Sequence, residues 1–240
     1  MQFVTSLSYF RTKFKYMSNI IAIGDIHGSA EWRNIVEENN DAIVVFLGDY
    51  LDPYGPYNRY DILNNLADII EYKRNNMQRV ILLLGNHDLH YINYDIQICT
   101  RYNIKLAEVA GLLFNYNFNL FQYAYQINNI VFTHAGISHQ WFECDFKGDI
   151  NRNIAEQLNN PTDEQLVKLF QIGAARGGDP DIKGGIFWAD SSELSDPLHG
   201  FTQVVGHNRV PYIMEFKYAN DNKIIFCDCL GDGMYFKTNI

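Results

Sequence analysis

Ala42–Asp52, AIVVFLGDYLD, runs five apolar residues, Ile43 to Leu47, into a glycine and then presents two carboxylates, Asp49 and Asp52. An apolar run of that length, rich in β-branched residues and stopped by Gly48, predicts a central strand buried on both faces. The glycine turns the chain out of the sheet. Asp49 is thereby placed at the carboxyl end of the strand, where open α/β sheets bind ligands. The same arrangement recurs along the chain. Ile20–Ile23 runs into Gly24-Asp25-Ile26-His27-Gly28, Val80–Leu84 into Gly85-Asn86-His87-Asp88, Ile130–Thr133 into His134-Ala135-Gly136, and Gln203–Val205 into Gly206-His207-Asn208. Convergent strand ends of this kind predict one polar site.

Outward from these strands, apolar spacing predicts a helix capped by Ser29 that carries Trp32, Ile35 and Val36. A second is predicted over Arg59 to Asn75, with Ile62, Leu63, Leu66, Ile69 and Ile70 on one face. Strands alternating with helices imply parallel pairing through right-handed crossovers. Tyr91–Arg101 reads as helical, and Ala107–Asn117 has no decisive pattern. Leu120–Ile127 and Ile130–Thr133, joined at Asn128-Asn129, read as a hairpin. Helices are expected at Ile150–Leu158 and Thr162–Ala175. Strands near Tyr212–Lys217, Ile224–Asp228 and Met234–Lys237 are expected to build a second sheet from the C-terminal half. The turn-rich Pro53-Tyr54-Gly55-Pro56-Tyr57 fits either a pocket rim or an ordinary surface turn.

With 240 residues, 47% of them hydrophobic, the chain can bury a sizeable α/β core. No Pro/Gly/Ser-rich linker interrupts Asp25 to His207, so one domain over 18–240 is expected, preceded by a tail over 1–17. That tail carries Arg11, Lys13 and Lys15 but no apolar core of signal-peptide length. A net charge of −9 argues against nucleic-acid or anionic-membrane partners. Four scattered cysteines make no disulfide framework, which favours a reducing cytoplasm. No apolar run reaches the roughly 20 residues that span a bilayer.

Collected, the strand-end groups are Asp25, His27, Asp49, Asn86, His134 and His207, with Asp52, His87 and Asp88 beside them. Imidazole nitrogens mixed with carboxylate and amide oxygens suit Mn, Fe or Zn better than Ca. One octahedral ion cannot use so many ligands and keep an open position. Two divalent ions sharing a carboxylate can, and such pairs serve in-line attack at phosphorus.

In order and spacing, Gly24-Asp25-Ile26-His27-Gly28, Gly48-Asp49-Tyr50-Leu51-Asp52, Gly85-Asn86-His87-Asp88, His134-Ala135-Gly136 and Gly206-His207 resemble the signature of the calcineurin-like metallophosphoesterases over about residues 20 to 210. The resemblance implies a four-layer α/β/β/α sandwich with two mixed sheets. It implies that Asp25, His27 and a bridging Asp49 hold one metal, and that Asp49, Asn86, His134 and His207 hold the other. A metal-activated hydroxide would attack, His87 would protonate the leaving group, and Asp52 would orient His87. Gly48–Asp52 and Phe187-Trp188-Ala189-Asp190 are most similar to the serine/threonine phosphoprotein phosphatase branch, which includes relatives cleaving dinucleoside tetraphosphates. The substrate expected is a phosphate monoester, on a small molecule or phosphoprotein. A nucleotide substrate and a non-catalytic binding module are the alternatives.

The phosphate-gripping Arg of that branch is replaced here by Pro53. Arg209, then Arg176 and Arg59, are the expected substitutes, since a phosphoryl group in transfer needs cationic donors. His90, His139 and His199 are expected on the surface or rim, with His139 and Trp141 as possible pocket borders. Asp228 is expected to form a turn.

Overall fold

The structure, a computed structural model, describes residues 19–93, 97–219 and 222–240. The tail expected over 1–17 lies outside the described residues.

Strands β1 (Asn19–Ile23), β2 (Ile43–Phe46), β3 (Val80–Leu83) and β4 (Phe121–Gln122) pair in parallel, and β10 (Phe236–Asn239) joins β1 antiparallel. The order is β10-β1-β2-β3-β4. A second sheet contains β5 (Ala124–Ile127), β6 (Ile130–Thr133), β7 (Thr202–Arg209), β8 (Met214–Lys217) and β9 (Lys223–Asp228), ordered β5-β6-β7-β9-β8 with β6, β7 and β9 parallel. Both sheets are mixed, as the resemblance implies.

Period-two alternation assigns the faces. Ile21, Ile23, Val44, Phe46 and Leu82 pack toward Trp32 and Ile35 of α1 (Trp32–Glu38), Leu66 and Ile69 of α2 (Arg59–Asn75), and Phe114 of α4 (Ile104–Tyr116). Ile20, Ala22, Val45 and Leu83 face the other way, against Phe132, Val204 and Ile225 of the second sheet. A strand covered on both faces must be apolar at every position, which is why β1 and β2 read as unbroken runs. On the far side of the second sheet the helical cover is thin: α5 (Ile154–Asn159) packs on β5, beside short turns and irregular chain.

Several elements differ from expectation. Leu120–Ile127 is not one strand: β4 pairs with β3 in the first sheet and β5 with β6 in the second. Tyr123 separates them, its N–H donating to Asn159 Oδ1 at 2.8 Å. The expected C-terminal strand near Met234 forms as β10 but closes the first sheet rather than extending the second. Of the expected helix Tyr91–Arg101, positions 94–96 lie outside the described residues, only Tyr91 and Ile92 are helical, and residues 97–101 are not. The helix begins earlier, at α3 (Asn86–Ile92), because the Asp88 carboxylate accepts the Gly85 N–H at 2.8 Å and opens the helix on the motif itself. The undecided stretch is helical in α4, capped by Asn103 Oδ1 accepting from Lys105 N. Ser29 sits three residues before its expected helix, which starts at Trp32 without a side-chain cap. Helix α5 starts at Ile154, capped by Asn153, and Thr162 caps α6 (Asp163–Leu169), which ends before the expected Ala175.

The two sheets touch where site-bearing residues begin. A Cβ on Gly24 would lie 2.1 Å from the Cys227 carbonyl oxygen, so β1 and β9 touch backbone to backbone immediately before Asp25. Gly24→Ala is expected to destabilise by about 3 kcal/mol or more, because neither backbone can recede without parting the sheets. Gly231→Ala, with nothing within 4 Å of its Cβ, is expected to stay within about 0.5 kcal/mol of the wild type. Urea denaturation of the two variants checks both.

Candidate metal centre

Left-handed backbone turns aim several of the site residues. His27, Asp49, Asp52 and His207 take positive φ, at 42°, 52°, 59° and 61°. Asp and His tolerate that region better than bulky residues, yet each costs on the order of 1–2 kcal/mol, held in place by surrounding bonds. The turns swing the side chains off the sheets into one crevice, a cavity of about 410 Å³ lined by Asp25, His27, Asp49, Asn86, His87 and His207 among others.

Hydrogen bonds across the two sheets fix the donor atoms. Asp25 Oδ1 accepts the His207 N–H at 2.9 Å, and His134 Nδ1 lies 2.9 Å from the Leu47 carbonyl. A carbonyl can only accept, so the His134 proton sits on Nδ1 and the lone pair of Nε2 faces the cavity. The same logic applies to His27, whose Nδ1 lies 2.8 Å from the Leu51 carbonyl. Asn86 donates its amide nitrogen to Cys99 Sγ at 3.2 Å, which turns its oxygen inward.

Two acceptor groups result. Asp25, His27 and Asp49 bring one donor atom each within 4.8 Å of one another. Asn86 Oδ1, His134 Nε2 and His207 Nδ1 lie 2.8 to 3.2 Å apart, with Asp49 Oδ1 3.6 Å from His134 Nε2. Lone pairs facing one another in a buried site repel unless a cation lies among them, so the residues present fit two divalent metals with Asp49 shared. The His207 Nε2 atom is buried and without a hydrogen-bond partner among the described residues, consistent with a ring oriented for ligation through Nδ1.

The electrostatics point the same way. Burial holds His27 and His134 down to about 3 and pushes His207 well below its ordinary range, so all three are neutral at physiological pH, the form a metal requires. Burial, then Asp228 and Asp49, raises Asp25; burial, then Asp88, raises Asp49. Asp88 is pushed up to about 7 by burial, against three backbone donors that lower it.

Behind the cavity, Asp52 is the hub of a donor set. Its carboxylate meets His87 Nδ1 at 2.8 Å, His90 Nε2 at 2.9 Å and the Tyr91 hydroxyl at 2.5 Å. Cys99 N donates to His90 Nδ1, which leaves the His90 proton on Nε2, 2.9 Å from the Asp52 carboxylate though poorly aligned with it. Burial alone would raise Asp52, but these donors lower it overall. His87 Nε2 faces the cavity, its imidazole held below the ordinary value by burial although Asp52 opposes the shift.

Some expectations need correction. His90 is wholly buried at the Asp52 hub rather than on the surface, and Trp141 is wholly buried in the core. His139 stacks on His199 at 3.5 Å away from the cavity lining. Asp228 is no turn residue: it ends β9, is buried near Asp25, and is raised to about 6 by burial against Arg209 and Arg101. Of the three expected arginines, Arg176 lines the cavity but is paired to Asp190 at 2.9 Å and donates to Asn208. Arg209 lines an adjoining cavity with Tyr54, Tyr57 and Asp228. Arg59 lines a separate groove beside Tyr60, outside both cavities. Pro53 and Tyr54 do form a rim. The sequence reading missed Arg101, whose Nη2 lies 3.4 Å from both His27 Nε2 and His87 Nε2. It belongs to no motif, so only the folded chain reveals it.

Metal loading has a stability signature. Manganese at about 100 times its Kd is expected to raise the melting temperature by about 5–10 °C, and a chelator to reverse the gain. Asp49→Asn keeps an acceptor for the His87 N–H but removes a buried charge. At pH 8 the metal-free variant is expected to melt no lower than metal-free wild type, with the manganese shift abolished. Thermal scans with elemental analysis check this, and normal metal content in the variant would count against a bridging carboxylate.

Comparison with known proteins agrees with this geometry. The family model for calcineurin-like phosphoesterases matches residues 18–226. A curated relative, Shewanella-like protein phosphatase 1 of Plasmodium berghei (strain Anka), is 26% identical over 94% of this chain and 69% of its own length. Among solved structures, a cold-active protein-tyrosine phosphatase of a psychrophilic Shewanella species superposes with TM-score 0.55 at 18% identity, covering 89% of this chain and 71% of that one. A serine/threonine phosphatase from Saccharomyces cerevisiae gives TM-score 0.50 at 15% identity, covering 91% and 74%. With a family match over most of its length and that family's motifs gathered in one crevice, the chain belongs to the calcineurin-like phosphoesterases.

Proposed function

We propose that the chain is a binuclear metal-dependent phosphatase that hydrolyses phosphate monoesters, in the manner of serine/threonine phosphatases. The observation that carries this reading is the proton arrangement. His27 and His134 spend their N–H groups on backbone carbonyls and present bare nitrogens, while His87 spends its own on Asp52 and presents Nε2 to the same cavity. One set of groups is built to hold cations, and the other to handle a proton.

Asp25, His27 and Asp49 would hold one ion, and Asp49, Asn86, His134 and His207 the other, as Mn, Fe or Zn. When bound, the ions supply Lewis acidity and lower the pKa of coordinated water toward about 7. His87 Nε2 delivers a proton to the departing alkoxide. A phosphoryl dianion brought beside it adds negative charge, which offsets the burial that holds the imidazole low. Asp52 keeps the proton on Nδ1 and stabilises the imidazolium, while His90 and Tyr91 fix Asp52.

The relatives above carry protein phosphatase names, which favours a phosphoprotein monoester over a nucleotide as substrate. The complete ligand set and acid pair argue against a non-catalytic module. Cys99 and Cys227, buried and free, fit a reducing cytoplasm, and among the described residues no helix is long and apolar enough to cross a membrane.

His87→Ala is expected to keep the metals and to cut kcat for alkyl phosphates by about 10²–10⁴, but for aryl phosphates with acidic leaving groups far less. Equal losses on both ester types, measured with manganese present, would rule out the proton-donor role.

A further inference from the structure

We infer that Arg101 is a phosphate clamp of this site, binding two phosphoryl oxygens of the substrate; the inference rests on the phosphatase reading. Arg101 comes from the loop between α3 and α4, where no motif of the chain lies. Its guanidinium is fixed at both ends. Nε donates to the Asp52 carbonyl at 2.8 Å, and the guanidinium carbon sits 3.9 Å from the Tyr54 ring centroid. The plane is thus pinned from below by the residue preceding Pro53 and from the side by an aromatic face. The backbone takes φ 66° to achieve this, a conformation that arginine rarely adopts.

What the fixed group points at decides its role. Nη2 lies 3.4 Å from His27 Nε2 and 3.4 Å from His87 Nε2. Both nitrogens are lone-pair atoms whose other ring nitrogen is spent on Leu51 or Asp52. In a working site each has another task, one as a metal ligand and the other as the proton donor. The Nη2 hydrogens are then left for an anion lying between those two histidines, which would set a phosphoryl group beside the residues that would hold the metals and its alkoxide near His87.

Charge accounting selects Arg101 over its neighbours. Arg176 is neutralised by Asp190, and Arg209 lies in the adjoining cavity, 4.9 Å from the Tyr54 ring. Among the described residues, no carboxylate lies within 4.0 Å of the Arg101 guanidinium. A fork with two rigid anchors and, among the described residues, no partner anion is suited to bidentate grip of a phosphoryl group.

The test measures inorganic phosphate binding to the manganese-loaded full chain by calorimetry, beside turnover of p-nitrophenyl phosphate. Arg101→Ala is expected to weaken phosphate roughly ten- to a hundred-fold while manganese stoichiometry and affinity stay unchanged. Arg101→Lys is expected to recover part of that affinity, since it restores charge without the fork. Arg101→Gln, which keeps a donor for the Asp52 carbonyl, is expected to fold and still bind phosphate weakly, which separates anion binding from loop support. Phosphate affinity unchanged in Arg101→Ala, or absent in the wild type, would overturn the clamp. Arg101-dependent phosphate binding without turnover of any ester by the wild type would uphold the clamp and overturn the phosphatase reading instead.

Discussion

Two buried carboxylates trade hydrogen bonds across neighbouring strand ends, and the site is assembled around that exchange. Asp49 Oδ1 accepts the His87 N–H at the start of α3, while Asp88 accepts the N–H groups of Asp49, Tyr50 and Gly85 at 2.8 to 2.9 Å. Each acid satisfies the other's backbone, so the loops after β2 and β3 cannot move separately. Gly85 must be glycine for this contact, since a Cβ there would lie 2.1 Å from Asp49 Oδ1. Gly206 plays the same part for Asp25, at 2.1 Å from its Oδ1. The motif glycines are therefore the seats on which the ligand carboxylates rest.

This arrangement puts like charges close together out of water. Asp25, Asp49, Asp88 and Asp228 are all raised above the ordinary carboxylate range, burial being the main cause for each. Folding around such a cluster is unfavourable for the protein alone and becomes favourable when cations share it. The neutral histidines complete the picture, because a protonated imidazole would compete with the metal for the same lone pair. Stability and function are thus opposed at one place and supported by the two-sheet core elsewhere.

Much of this was legible in the chain. Buried parallel strands must be apolar throughout and must end abruptly, so the runs before Asp25, Asp49 and Asn86 announced both their class and their ends. Asp25, His27, Asp49, Asn86 and His207, which line one crevice, could be collected from the same pattern, because each lies just past such a run. What sequence could not convey was partnership at a distance. Nothing in Leu120–Ile127 says that two residues serve one sheet and four the other, since both halves alternate equally well. His90 was open to detection: it lies three residues after His87 on the same helix face, so one acid could face both. Arg101 was not, because a loop residue acquires its meaning only from where the loop lands.

The pairing of β10 with β1, Asn19 with Asn239 and Ala22 with Phe236, joins segments more than two hundred positions apart. During synthesis on the ribosome, β1 therefore waits as an unprotected edge while β2 and β3 are already available to it. Such an edge invites pairing with another nascent chain, and the slow step of maturation is expected to be the arrival of that last strand rather than formation of the crevice. Chaperone dependence of this protein would then reflect its outermost strand, far from any phosphate chemistry.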